Sequence, residues 1–287
     1  MKKIQFYLTP SEGKRLIGKA MAALPDIRKA IEENAWSEDR FIRGFLNSKD
    51  KFGDESSTEC KIDLISQSFA AICERFNDEM VRTALNTAYN TLVDNQNSIV
   101  KLFDPPFKNQ EVTPGYIIGY IPGVRENGGQ YTHAAVWFAL ALIKSGKYNE
   151  AFEILNMINP INHSRTLNDV KKYRVEPYVL SADVYTNPAH FGMGGWSWYT
   201  GSAGWYFKTV TEELLGIKQD GKYLTVNPHL PENWDSFSAE IKKDGTTVNL
   251  TVIRSADLKF SKKLFINNLE MKAIPLDGKN HKVKYFI

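Results

Sequence analysis

The apolar residues of this chain change their period near residue 216, and that change limits the folds open to it. Before it they recur at helical spacing: Leu16, Ala20, Ala23 and Leu24; Ile62, Ile65, Phe69 and Ile72; Met80, Ala84, Leu85, Ala88 and Leu92. The same period returns in Ala134, Trp137, Phe138, Ala141 and Leu142 and in Ala151, Ile154, Leu155 and Ile158. This spacing predicts about six or seven helices joined by long loops. After it come short alternating runs at 223–226, 237–241, 247–252, 263–266 and 283–287, punctuated by Asp244-Gly245 and Asp277-Gly278 turns. The expectation is a mainly α chain with a C-terminal β domain: residues 1–215 helical, residues 216–287 a small antiparallel β unit.

A chain of 287 residues can bury a substantial core as one large domain or two ordinary ones. Its net charge is only +3 and its Lys and Arg residues are dispersed, which argues against nucleic acid or an anionic membrane as partner. Cys60 and Cys73 lack the spacing of a zinc site or a disulfide framework, so a reduced, cytoplasmic chain without a metal is expected. The apolar stretch within residues 1–10 is too short for a signal peptide, and no apolar run approaches the ~20 residues of a membrane span. Partners should be small molecules or other chains.

Three loops hold the densest chemistry, and long loops inside a compact domain are usually functional. Residues 192–205 pack three tryptophans, a tyrosine and five glycines ahead of a helix expected at 205–215. Flat rings offer platforms to sugar faces, glycines let backbone N–H groups approach a ligand, and Thr200 suits a helix cap beside an anion site. A buried Trp-rich loop is the alternative. Residues 122–133 carry Arg125, Glu126 and His133 around the Asn127-Gly128-Gly129 turn, where Arg125 and Glu126 could instead merely pair with each other. In residues 173–185, Pro177 biases Glu176 toward an extended backbone and a fixed carboxylate direction among tyrosines; an ion pair with Arg174 is the competing reading. A weaker constellation is Asp63, Gln67 and Ser68, which the exposed polar face of an amphipathic core helix explains without a ligand.

The runs PGVRENGGQYTHAAVWFALAL, NPINHSR, YRVEPYVLSADVY, GGWSWYTGSAGW and NPHLPENW, preceded by NAWSEDRFIRGFL and ECKIDLISQSFA, resemble the C-terminal half of glycoside hydrolase family 94, formerly glycosyltransferase family 36. They are especially similar to the phosphorylase-like domain of cyclic β-1,2-glucan synthetases. The resemblance covers about residues 30–287. It implies part of an (α/α)6 toroid barrel followed by a small β-sandwich, and an inverting phosphorolysis of β-glucans giving α-glucose 1-phosphate. It further implies phosphate binding by His133, Thr200 and Gly201 and substrate binding by Arg125 and Glu126; Gln130, Glu176, Asp183, Trp196 and Trp198 of the same loops are the further expected sugar contacts. Phosphate is then a co-substrate, and no cofactor or metal is called for.

The family's general acid belongs to an Asp-Trp-Asn-Asp motif that these 287 residues do not contain, and the helices amount to about half of a barrel. The chain is therefore expected to be inactive alone, to complete itself with a second chain carrying the other half or as a homo-oligomer, and to bind β-1,2-glucan or a cellobiose-type substrate. Two alternatives stay open: a non-catalytic carbohydrate binder, and a hydrolase drawing acid and base from Glu126, Glu176 and Asp183 at the inverting separation of ~6.5–9.5 Å.

Overall fold

The computed structural model describes residues 9–108, 114–198, 200–257 and 259–287; most of the stretch considered for a leader lies outside them. Seven α-helices occur among the described residues: α1 (Pro10–Asn34), α2 (Leu64–Ile72), α3 (Asp78–Leu92), α4 (Thr132–Lys144), α5 (Tyr148–Ile158), α6 (Leu167–Tyr173) and α7 (Thr200–Lys208). None is long and apolar enough to cross a membrane. α1 starts in a capping box, in which the Glu12 amide donates to Thr9 Oγ1 at 3.3 Å and the Thr9 amide to Glu12 Oε2 at 3.1 Å. It leaves Leu16, Met21, Leu24 and Ile27 exposed.

α4 is the axle of the helical part. Ten of its thirteen residues are buried, and Ala134, Ala135, Ala139 and Ala141 are small enough for α2, α5 and α7 to close around it. A helix enclosed on all sides holds its first turn firmly, and that turn carries His133. Its core runs from Phe52 through Leu85, Phe103 and Phe138 to Leu214.

The last helix departs from the expected 205–215. It begins at Thr200, which is therefore a helical residue rather than the cap, and widens into a π-helix over Thr209–Leu214. The small residues 201–204 hide this start from a search for apolar period, yet Ser202 is buried and the Tyr206 hydroxyl reaches the Leu155 carbonyl at 3.2 Å. The short helix α6 has only Leu167, Val170 and Tyr173 at helical spacing, too few for the period to register, and of these only Tyr173 is buried.

Two strands matter for the site: β1 (Gln130–Tyr131) pairs antiparallel with β2 (Asp183–Val184). The C-terminal part holds β3 (Ile217–Asp220), β4 (Tyr223–Val226), β5 (Ser236–Lys243), β6 (Thr246–Ile253), β7 (Lys263–Ile266), β8 (Leu269–Met271), β9 (Ile274–Pro275) and β10 (Asn280–Phe286). They form a three-stranded sheet, β3-β4-β9, and a five-stranded sheet, β5-β6-β10-β7-β8. Leu224, Val226 and Ile274 of the first share one apolar core with Val248, Leu250, Val252 and Val283 of the second. The expectation of a purely antiparallel unit needs one correction, because β6 and β10 run parallel. The excursion through β7, β8 and β9 separates them, and only such a crossover lets the chain return in the same direction.

The polar residues of α2 are also not where a surface face would put them. Asp63, Gln67 and Ser68 are buried, while Phe69 is 44% exposed. Asp63 caps α2 through the amides of Ile65 (2.8 Å) and Ser66 (3.4 Å) and pairs with Arg43. The Gln67 amide both accepts from the Phe41 N–H and donates to its carbonyl, each at 2.8 Å, and Ser68 donates to the Leu64 carbonyl at 2.7 Å. These groups fasten α2 to the preceding chain and are spent on the scaffold.

Candidate functional site

The three loops singled out in the sequence are sewn into one patch by their backbones. The Thr132 amide at the start of α4 donates to the Ala182 carbonyl at 2.9 Å, extending the β1–β2 ladder into the helix. Residues 192–196 run back along β2: the Gly195 amide donates to the Asp183 carbonyl and the Tyr185 amide to the Met193 carbonyl, both at 2.9 Å, and the Ala182 amide to the Trp196 carbonyl at 2.6 Å. The 122–128 turn is held by the Thr186 amide on the Gly123 carbonyl (2.8 Å) and by the Asn127 side chain. Asn127 accepts from the Phe107 amide and donates to the Tyr120 carbonyl, both at 2.8 Å. Gly123 is required here, since a Cβ would collide with the Asn187 backbone and its φ is +82°.

Asp183 lies at the centre of this patch and is 1% exposed. Its Oδ1 faces the Trp196 amide at 3.4 Å, its Oδ2 makes no hydrogen bond, and a Cβ on Gly195 would strike the carboxylate. Burial pushes its pKa up to about 6, with Glu126 adding to the rise and the Trp196 N–H and the Arg125 charge opposing it. Arg125, at φ +51°, packs its guanidinium 5.3 Å from the centroids of both Tyr120 and Trp196, and its Nε lies 3.4 Å from Glu126 Oε2. The cation is thus fixed between two rings with carboxylates on hand, and the Trp196 ring stays 54% exposed as a platform. Asp183 is too enclosed to reach a glycosidic oxygen, which removes it from the acid–base set considered for a hydrolase. Gln130 also departs from the expected sugar contact. It is buried, and its Oε1 accepts from the Val100 amide at 2.9 Å, behind the patch.

Glu176 is not paired with Arg174, whose Nε donates instead to the Lys171 carbonyl at 3.0 Å. Glu176 accepts from Trp198 Nε1 at 3.0 Å, and backbone and indole hydrogen bonds lower its pKa. Trp198 is 66% exposed and held at φ +62°, with the Tyr178 ring edge-on at 6.2 Å. The indole N–H is thus anchored on Glu176 while most of the ring faces solvent.

His133 meets the start of α7. Its ring packs, tilted by 41°, with its centroid 4.4 Å from that of Trp137 and 6.3 Å from that of Trp205, and a Cβ on Gly201 would sit 3.2 Å from His133 Cε1 and 3.4 Å from Nδ1. Nε2 is buried without a partner, and burial lowers the His133 pKa below the usual imidazole range, favouring the neutral ring. With Nε2 partnerless, a proton on Nδ1 leaves no buried N–H unpaired at Nε2, and Nδ1 is a ring nitrogen on the Gly201 side. The Thr200 side chain lies outside the described residues. No group of three or more metal-ligating side chains occurs among the described residues.

Sequence reasoning missed Tyr120, Tyr178 and Trp137, which carry the ring contacts to Arg125, Trp198 and His133. Lone aromatic residues in a loop or on a core helix give no signal until the chain closes. It read Asn127 only as a turn former.

Residues 10–216 match the family model of the glycosyl hydrolase 94 superfamily, catalytic domain. The chain is 41% identical over 233 residues to the cyclic beta-(1,2)-glucan synthase NdvB of Rhizobium meliloti (strain 1021), an alignment covering 81% of this chain and 8% of that protein. It is 28% identical over 234 residues to the solabiose phosphorylase of Paenibacillus borealis, covering 79% of this chain and 29% of the relative. A 1,2-beta-oligoglucan phosphorylase of Listeria innocua is 32% identical over 147 residues, 46% of this chain and 13% of that one. The chain thus spans less than a third of the length of each of these relatives.

Proposed function

This chain belongs to the glycosyl hydrolase 94 superfamily, and on that premise we propose that it supplies the phosphate and sugar contacts of an inverting β-glucan phosphorolysis, as part of an (α/α)6 toroid. An oxygen of inorganic phosphate forms a bond to the anomeric carbon as the bond to the leaving oxygen breaks. A proton from a general acid goes to that oxygen, and α-glucose 1-phosphate results. Phosphate is its own nucleophile, so one acid suffices where a hydrolase needs two carboxyl groups.

The observation that carries the reading is His133 lying against Gly201 at the start of α7. An imidazole N–H and the free N–H groups of a helix terminus converge there, and both favour an anion. Arg125, Glu126 and the rings of Trp196 and Trp198 form the sugar-facing side, with Glu176 orienting Trp198 and Asp183 positioning Arg125 and Trp196. A β-1,2-linked glucan is the preferred substrate class, supported by the 41% identity to a cyclic glucan synthase; a cellobiose-type disaccharide is second. The free thiols of Cys60 and Cys73 fit the cytoplasmic setting. The acid comes from residues outside these 287, so the chain alone binds without turnover and acts when joined to the remaining half of the barrel, in a second chain or in one longer polypeptide.

Calorimetry with inorganic phosphate and a β-1,2-glucooligosaccharide tests this, with α-glucose 1-phosphate assayed in the same sample. His133→Ala is expected to weaken phosphate binding about 10- to 100-fold, as the loss of a hydrogen bond to a charged partner does. Equal phosphate affinity in the variant, or product formation by this chain alone, would overturn the reading.

A further inference from the structure

We propose a second sugar-binding pocket on the reverse side of the β1–β2 ladder, sized for a single pyranose residue. It rests on the β-glucan reading only for the identity of the sugar. Successive residues of a strand face opposite ways. On β2, Asp183 faces the candidate site and Val184 lines a separate cavity of about 170 Å³. Gln96 and Asn97 from the turn after α3, His163, and Asp169 and Lys172 of α6 form its polar wall.

Each of these groups has hydrogen-bonding capacity left, and the signs are mixed. His163 Nε2 lies 2.5 Å from the Met157 carbonyl, which can only accept, so the proton is on Nε2. Burial lowers the His163 pKa, and the neutral ring keeps Nδ1 as an acceptor. Its ring stacks on Tyr173 at 4.9 Å and 16°, which fixes its direction. Lys172 threads its stem across Gly192, where a Cβ would collide with it, and sets its ammonium 5.0 Å from the Phe191 ring centroid. Asp169 spends Oδ2 on the capping box of α6, accepting from the Thr166 amide at 3.0 Å and its hydroxyl at 2.7 Å.

A bare anion would meet the Asp169 carboxylate and a cation the Lys172 ammonium. A neutral polyol can donate to the imidazole and the carboxylate while accepting from the amides and the ammonium. A volume of about 170 Å³ is on the scale of one sugar ring, so the pocket would grip one glucosyl unit of a chain that also occupies, or is held near, the aromatic face.

Proton NMR of the His163 ring in this chain, titrated with glucose and with the β-1,2-linked glucose disaccharide, tests the pocket. A saturable shift is expected in the parent and also in Trp196→Ala, where the front platform is removed. It should weaken at least tenfold in Lys172→Met, which keeps the stem over Gly192, and in Gln96→Ala at an exposed position. A silent His163, or shifts unchanged in both pocket variants, overturns the inference. His133 reports independently under phosphate: a response there with His163 silent would sink the pocket alone, and the reverse would sink the phosphate reading and leave the pocket standing.

Discussion

Replacing Asp63 with Ala is expected to cost about 3–5 kcal/mol of unfolding free energy, read from urea transitions of parent and variant. Asp63 is 2% exposed, and its carboxylate does two jobs. It caps α2 through two backbone amides and neutralises Arg43, whose guanidinium lies 5.3 Å from the Phe103 centroid and 5.9 Å from that of Phe52. Removing the carboxylate strands a cation among rings and leaves two amide donors unpaired. Arg43 keeps a quarter of its side chain in solvent and can partly rehydrate, which places the loss toward the lower end of the range. Asp63→Asn separates the two jobs, since its side-chain carbonyl can still cap the helix. A loss below 1 kcal/mol in the Ala variant would show that neither contact contributes to stability.

The second large effect is a pH dependence at Asp183. Its pKa is about 6 in the folded chain against an ordinary 3.8, so the folded state binds the proton more tightly. The corresponding stability is fully present below pH 3.8 and is lost as pH rises through about 6. The gap between the two values corresponds to about 3 kcal/mol. Asp183→Asn should therefore match the parent near pH 4 and exceed its unfolding free energy by up to about 3 kcal/mol above pH 7. Carboxylates with lowered pKa, such as Asp39 and Asp54, pull the opposite way, but they are common to both proteins and cancel in the difference. A difference that stays constant from pH 4 to pH 8 would refute the assignment. In function the same variant removes the negative charge beside Arg125, so looser sugar binding should accompany its greater stability.

Much of the candidate site was legible as a set of segments and little of it as geometry. Arg125, Glu126, His133, Glu176, Asp183, Trp196 and Trp198 stand out because glycine-rich loops with aromatic and charged residues are rare inside a helical pattern. Their roles diverge once folded. Asp183 goes under the surface behind Gly195, Gln130 turns inward to Val100, and Glu176 leaves Arg174 for an indole N–H. Backbone pairing across distant segments decides each of these directions, and no local pattern encodes it.

By itself, the amino-acid sequence determined the division into helical and alternating regions, the principal helices and strand runs, and the motifs of the family. Side-chain period and turn chemistry act within a few residues and do not wait for the rest of the chain. Only the tertiary structure decided that Asp63 and Gln67 face inward, that α7 starts at Thr200, that β6 and β10 run parallel, and that Arg125 lies between Tyr120 and Trp196. Those outcomes depend on which surfaces meet when long loops close. Burial and close packing then choose among side-chain directions that are nearly equal in energy for an isolated segment.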